Sequence, residues 1–547
     1  MKSKDPQTIG LSPEQLQQLK QRVSERKLEE ADWRLIEGIL ETVEVLRNAV
    51  QKKTVALKRL LRILFGPRTE KSQAVLPITQ GPYSSASPSS PPGQQRQGKR
   101  KGHGRNGADE VHGALKVRVA HANLKSGDRC PKCPKGKLYC LKDPALLIHF
   151  LSGPPVSATL YECERLRCSS CGQVFTAEAP QEVSAKKYDE SASSMIAVLK
   201  YGHGFPFHRI EHLQEQLGVP LAASTQWGLV EEKADSILPV YDLLVELAAQ
   251  GEILHNDDTT MKILQYLGKR AERYEEQEAP GEQRTGIFTT GIVSIVETHK
   301  IALFFTGKHH AGENLLAVLQ KRQGGRSPPL QMCDALSRNL PKDFKVILCN
   351  CLSHARRKFI ELLDAFPQEC QTVLEAFESV YFNDERTKKQ NMDPQQRLSY
   401  HQVYSQPVIN GLEAWLRQQM DEKKVEPNSS LGEAIRYMLD HWEPLTRFLK
   451  VAGAPVDNNV CERALKRAIL HRKNALFYKT QHGAFVGDIY MSLIYTCTLS
   501  GANPLDYLTE LERHAAELAT DPGRWLPWTY KESLPPREGP AASADRP

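Results

Sequence analysis

Apolar positions recur along this chain with two different periods, and the places where the period changes divide it into regions. Between 36 and 64, Ile36, Ile39, Val43, Leu46, Val50, Leu57, Leu60 and Leu64 follow at alternating steps of three and four, with Lys53 the polar interruption. That is a heptad seam of about four repeats on a long helix. Ser12-Pro13-Glu14-Gln15 is a good helix start, and Gly66-Pro67 ends the seam. A seam needs a partner. A second copy would make a zipper and a homodimer or higher homo-oligomer; packing on its own domain is the alternative. From 188 to 249 the pattern is again helical. A short helix over 207–217, a turn at Gly218-Val219-Pro220 and a new helix start at Ala223-Ser224-Thr225-Gln226-Trp227 resemble a helix-turn-helix. Simple helix packing is as good a reading of the same pattern.

After Gly251 the period falls to two. The run 253–260 starts as a buried strand and turns polar at Asp257-Asp258-Thr259-Thr260. Runs at 291–296 and 300–305 read as a hairpin around Glu297-Thr298-His299. A helix follows over 311–320, then strands at 330–334 and 344–349, then a helix over 353–359. Three strands, a helix, two strands and a helix form the order of an RNase H-like core. The stretch 360–450 reads as helices over 370–380, 394–419 and 430–449, inserted before a last helix that opens at Asp457-Asn458-Asn459-Val460-Cys461-Glu462. The whole predicts a multidomain α+β protein with an RNase H-like mixed α/β catalytic core carrying a helical insertion. Its expected regions are a helical and coiled-coil module (1–72), a basic linker (73–112), a zinc ribbon (113–185), a helical connector (186–250), the core (251–500) and a C-terminal helix and tail (501–547).

Composition alters this picture in three places. The stretch 75–113 is rich in Ser, Pro, Gly and Gln, so it is not assigned regular structure. It ends in Lys99, Arg100, Lys101 and Arg105, either a solvated tether or an arm for DNA phosphates. Twelve cysteines in a chain with no membrane-length apolar run and no signal-peptide core suggest intracellular thiols and metal ligands. Cys130-Pro131-Lys132-Cys133 and Cys168-Ser169-Ser170-Cys171 supply two thiolates each, enough for one tetrahedral structural Zn²⁺. Cys140 and Cys163 are substitute ligands for that site. The net charge of +7 permits nucleic-acid binding without requiring it.

The candidate chemistry lies in three acids on separate elements: Asp257 and Asp334 at strand ends, and Glu462 at the start of an otherwise cationic helix. In an RNase H-like arrangement such carboxylates converge on two divalent ions, and oxygen ligands select Mg²⁺ or Mn²⁺. Strand alternation alone leaves Asp257 and Asp258 as alternatives.

The segments LFGPRTEK, GKRKGHGRNGADEV, LKSGDRCPKC, HNDDTT, SHARRKF, DNNVCERALKRAILHRKNALF and GANPLDYL resemble the bacterial transposases of insertion-sequence family 66 over nearly the whole chain. The resemblance implies Asp257, Asp334 and Glu462 as the Asp-Asp-Glu metal ligands. It implies His354, Arg356, Arg357, Arg463, Lys466, Arg467, Arg472 and Lys473 as contacts to double-stranded DNA. It further implies metal-dependent 3′-end cleavage at terminal repeats, strand transfer into target DNA, small accessory proteins as partners and a cytoplasmic, nucleoid location. Asp258, Thr260, the Ala335-Leu336 pair and Leu352 depart from the family pattern, which expects Glu, Pro, Gly-Tyr and Trp there. A catalytically inactive regulator bound to element ends, or a structure-specific nuclease on the same core, are the alternative functions.

Overall fold

A computed structural model describes residues 186–534 apart from 269–283 and 285, with 153–167, 174–178, 180 and a few positions nearer the start (19, 22, 23, 32, 33, 36, 126–128, 137 and 138). The zipper seam beyond Ile36, the basic residues Lys99, Arg100, Lys101 and Arg105, and Cys130, Cys133, Cys168 and Cys171 lie outside the described residues. The chain forms two compact units, Thr69–Pro154 and the remainder. In the smaller unit, the Gly127 amide donates to the Leu138 carbonyl at 2.9 Å, and the Leu138 amide to Asp128 at 2.8 Å.

The larger unit carries a short antiparallel hairpin of β1 (Arg165–Arg167) and β2 (Val174–Thr176), whose strands bracket the second cysteine pair. Three helices follow: α1 (Glu190–Ala197), capped by Asp189, then α2 (Phe207–Gln216) and α3 (Ala223–Ala249). The helix-turn-helix spacing is present, but α3 is a core helix. Val230, Ala234, Ile237, Val240, Tyr241 and Leu244 are buried in the main hydrophobic cluster. Its exposed positions include Glu232, Asp235, Asp242 and Glu246, an acidic face that DNA phosphates would repel.

The main sheet has five strands: β3 (Ile253–Thr260), β4 (Phe288–Val296), β5 (His299–Gly307), β6 (Leu330–Cys333) and β7 (Ile347–Asn350). Their spatial order is β5-β4-β3-β6-β7. The first three pair antiparallel; β6 and β7 join parallel to β3 and to each other. Glu297, at φ 54°, makes the tight turn between β4 and β5. Helix α4 (Ala311–Leu319) is the crossover from β5 to β6. The last strand begins at Ile347, three residues later than its hydrophobic pattern suggests, because Phe344 and Val346 pack on the core as loop residues.

Beyond the sheet, α5 (Leu352–Leu362) leads into the insertion: α6 (Pro367–Lys389), α7 (Pro394–Tyr404), α8 (Gln406–Asp421), α9 (Ser430–Asp440) and α10 (Trp442–Leu445). The expected single helix over 394–419 is two, broken at Ser405 ahead of Pro407. The expected helix over 430–449 likewise breaks at His441, since Pro444 cannot donate to the carbonyl four residues back and its ring would strike it. These helices and the β6–β7 side of the sheet share a second hydrophobic cluster.

Two helices close the sheet. Helix α11 (Asn459–Ala475) lies on β3 and β4 through Cys461, Ala464, Leu465 and Ala468. Gly291 of β4 permits that approach, since a Cβ there would stand 3.0 Å from Leu465. Helix α12 (Gln481–Leu499) covers the edge strand β5 with polar side chains. Asp488, Ser492 and Thr496 accept from the amides of Thr306, Phe304 and Ala302 at 2.6, 2.9 and 3.1 Å. Four residues of helix rise about 6 Å and two of strand about 6.6 Å, so the two repeats match over three contacts. The edge is thereby closed to pairing with another chain.

Candidate active site

The alternation of β3 distributes its polar end between two faces. His255 and Asp257 look toward α11; Asn256 and Asp258 look toward α4 and the turn at 337–339. The His255 ring is 3.0 Å from the Asn458 side-chain oxygen, and burial lowers its pKa to about 4, so it is neutral. On the opposite face, the Asn256 amide donates to the Asn339 carbonyl at 2.8 Å. Asp258 is buried there in a pair with His310 at 3.0 Å and Arg338 at 3.1 Å.

Among the described residues Asp257 has no such cation. Its Oδ1 accepts from the Asp258 amide at 2.8 Å. Burial, then the charges of Asp334, Asp258 and Glu462, push its carboxyl up to about 7. The three acids singled out in the sequence therefore share one electrostatic neighbourhood. Its origin is the sheet register: β3 and β6 pair Ile253 with Leu330 and His255 with Met332, so the chain leaves β6 at Asp334, one residue past its end, beside the polar end of β3 that carries Asp257. The Asp334 Oδ1 is held by the Leu336 amide at 3.2 Å and by the Asn339 side chain.

Glu462 arrives on the first turn of α11, whose start is anchored by three consecutive polar residues. Asp457 Oδ1 accepts from the Asn459 amide at 3.1 Å. The fully buried Asn458 bonds His255 and donates to the Asn256 carbonyl at 3.1 Å, while its own amide donates to Cys351 Sγ at 3.2 Å. At the far end of the helix, Arg472 donates to Thr259 at 3.1 Å and to Thr260. The helix is tied to β3 at both ends. His255, Asn458, His310 and Arg338 were not singled out as site residues in the sequence; His255, which opens HNDDTT, and Asn458, in the Asp-Asn-Asn run, were the available signal.

The Glu462 side chain is turned toward α5. Its Oε1 lies 3.6 Å from His354 Nδ1, and its Oε2 3.9 Å from Arg357. Cys351 caps the same helix; its thiol is buried and pushed up to about 11. Among the described residues, the three ligand atoms that come within 4.8 Å of one another belong to Cys351, His354 and Glu462. Asp257, Asp334 and Glu462 do not together form such a group among the described residues. As a donor set, the three carboxylates suit a hard divalent cation: one is held near its protonated form by burial and like charge, which such a cation would relieve.

The cations fall into two groups. Arg356, Arg357, Arg463, Lys466 and Lys473 are exposed on α5 and α11. Arg463, Lys466 and Lys473, at steps of three and seven, occupy one face. Arg467 is not on it. Its guanidinium donates to the Gly202 carbonyl at 2.8 Å and lies 4.8 Å over the Tyr495 ring. Arg472 likewise braces the end of β3.

The family profile described as "Transposase IS66 family" matches residues 186–485, more than half of the chain, and spans every residue of this site. Three proteins of Sinorhizobium fredii, described as uncharacterized proteins y4hP, y4qI and y4jD, are each 26% identical to it. The matches cover 68%, 62% and 67% of this chain, and 67%, 62% and 71% of the relatives' own lengths.

Proposed function

This chain belongs to the IS66 transposase family, and from that premise we propose that it cuts the ends of an insertion sequence and joins them to target DNA at a centre formed by Asp257, Asp334 and Glu462. The observation that carries the reading is the asymmetry of the two neighbouring aspartates. Asp258 is neutralised by His310 and Arg338; Asp257 is left to the repulsion of Asp334 and Glu462. A fold gains nothing from an unpaired buried carboxylate facing two others unless a cation joins them. The strand order supports an RNase H-like core: an antiparallel trio flanked by two parallel strands, with acids at the ends of the two central neighbours.

When bound, a pair of Mg²⁺ or Mn²⁺ ions would supply an activated oxygen nucleophile and steady the leaving oxygen. The chain's part is positional. Asp257 and Asp334 are fixed by the β3–β6 register, and Glu462 by the Asn458 anchor, its side chain rotating from His354 toward the aspartates. Asp258 with His310 and Arg338 braces the strand end. Arg356, Arg357, Arg463, Lys466 and Lys473 hold DNA phosphates beside the acids; Arg467 and Arg472 have internal duties. The four paired cysteines hold one structural Zn²⁺, and the zipper joins two protomers, one for each element end.

The test incubates full-length protein with labelled element ends and Mg²⁺. The expected products are strands with new 3′-hydroxyl ends, lost in Asp257→Ala, Asp334→Ala and Glu462→Ala while binding persists. Tight binding by the unmodified protein with no cleavage would overturn the catalytic reading and leave a DNA-binding regulator. Cleavage governed by branched structure, with no dependence on the terminal sequence, would indicate a nuclease.

A further inference from the structure

Glu462 has two possible stations, and the second is built for a different kind of metal. In this structure it faces Cys351 and His354, whose ligand atoms lie with its own within 4.8 Å. Glu462 Oε1 and His354 Nδ1 are both buried, and neither has a hydrogen-bond partner. Their 3.6 Å separation is too long for a hydrogen bond. It is close to an edge of a metal tetrahedron: bonds of about 2.0–2.2 Å from Zn²⁺ to O and N put that donor pair roughly 3.3–3.5 Å apart. The thiol side is prepared as well. Cys351 stands at the N-terminus of α5, and the Asn458 amide points at its sulfur from 3.2 Å. Both features would stabilise the sulfur once a metal displaces its proton; until then burial outweighs them and keeps the thiol neutral. The set of one sulfur, one nitrogen and one oxygen differs from the all-oxygen set of the aspartates and selects a softer ion than Mg²⁺.

We propose that Cys351, His354 and Glu462 bind a single Zn²⁺-class ion, and that this ion holds Glu462 away from Asp257 and Asp334, switching the centre off. On binding, the Cys351 thiol proton passes to solvent and three protein donors fill three tetrahedral positions. Arg357 is displaced from Glu462 by the incoming charge. The inhibitory consequence rests on the assignment of Glu462 to the catalytic centre; the binding does not.

The experiment uses full-length protein with its structural zinc in place, titrated with Co²⁺ under reducing conditions. The unmodified protein is expected to take up one more equivalent than Cys351→Ser and to develop a thiolate-to-cobalt absorption band that the variant lacks. His354→Ala should weaken that uptake by more than the roughly 10–100-fold that a lost outer-shell partner costs. Equal uptake and identical spectra in the unmodified protein and Cys351→Ser would overturn the site. If Cys351→Ser fails to fold, as judged by circular dichroism, Glu462→Gln replaces it, and an undiminished extra equivalent in that variant is equally fatal. A second arm measures Mg²⁺-dependent end cleavage with added Zn²⁺: the unmodified protein should be inhibited and Cys351→Ser resistant. Equal inhibition of both would refute the switch. Absence of any Mg²⁺-dependent cleavage would instead count against the catalytic reading, with the cobalt result standing by itself.

Discussion

Asp257→Asn removes a charge while preserving shape, and the structure predicts an unusual result: a more stable metal-free protein above neutral pH. The carboxyl moves from an ordinary 3.8 to about 7 on folding. At 1.36 kcal/mol per pKa unit, the ionised form is disfavoured by on the order of 4 kcal/mol. The sign follows from proton binding. The folded protein holds this proton more tightly than the unfolded chain, so the associated stability is complete below about pH 4. It is lost as pH rises toward 7, and above that the native state bears the full repulsion. Asp257→Asn cannot ionise and escapes that loss. Buried Asp488 and Glu512 are also raised to about 7 and contribute in the same direction, so the informative quantity is the difference between variant and parent. Thermal unfolding in a chelator at pH 5 and pH 8 should show a variant more stable by roughly 1.6 kcal/mol at the lower pH, which already lies above the unfolded carboxyl's 3.8, and by roughly 4 kcal/mol at the higher. Adding Mg²⁺ should raise the parent's midpoint and leave the variant nearly unmoved. The reasoning fails if Asp257→Asn is destabilised at pH 8, or if both proteins gain equally from Mg²⁺. Asp258→Asn is the control. It leaves His310 and Arg338 without their partner and should cost about 1–3 kcal/mol at both pH values, with the Mg²⁺ response retained.

Four further expectations test the frame around the acids. Gly291→Ala places a Cβ 3.0 Å from Leu465 and should push α11 off the sheet, costing about 1–3 kcal/mol in denaturant unfolding and displacing Glu462 enough to lower cleavage more than DNA affinity. Ser492→Ala strands the buried Phe304 amide on the edge strand, and the same measurement should show a loss of about 1–3 kcal/mol. Lys466→Ala should lower the salt dependence of DNA binding by about one unit of log–log slope with an unchanged melting point. Arg467→Ala should do the reverse, lowering the melting point and leaving that slope alone.

Much of this protein is written in local sequence. Strand β3 occupies 253–260 as its pattern predicts, α4 differs by one residue, and the hairpin turns at Glu297. Each depends on neighbours a few positions away, which a two- or 3.6-residue period records directly. The three acids were also legible, as polar residues at the ends of apolar runs and an acid opening a basic helix. What periodicity does not contain is the direction in which a strand faces and what lies there. Asp257 and Asp258 are adjacent and chemically alike; only the positions of Arg338 and His310 on one side, and of Asp334 and Glu462 on the other, give them opposite characters. The same holds for Lys466 and Arg467, one in solvent and one stacked on Tyr495, and for Asp488, Ser492 and Thr496, which read as ordinary helix residues until the edge strand lies beside them. The chain's own pattern decides which segments form and which residues carry charge. Packing brings together groups as distant as Arg467 and Gly202, 265 positions apart, and that separation is why pairing, burial and proton affinity were settled by the tertiary structure alone.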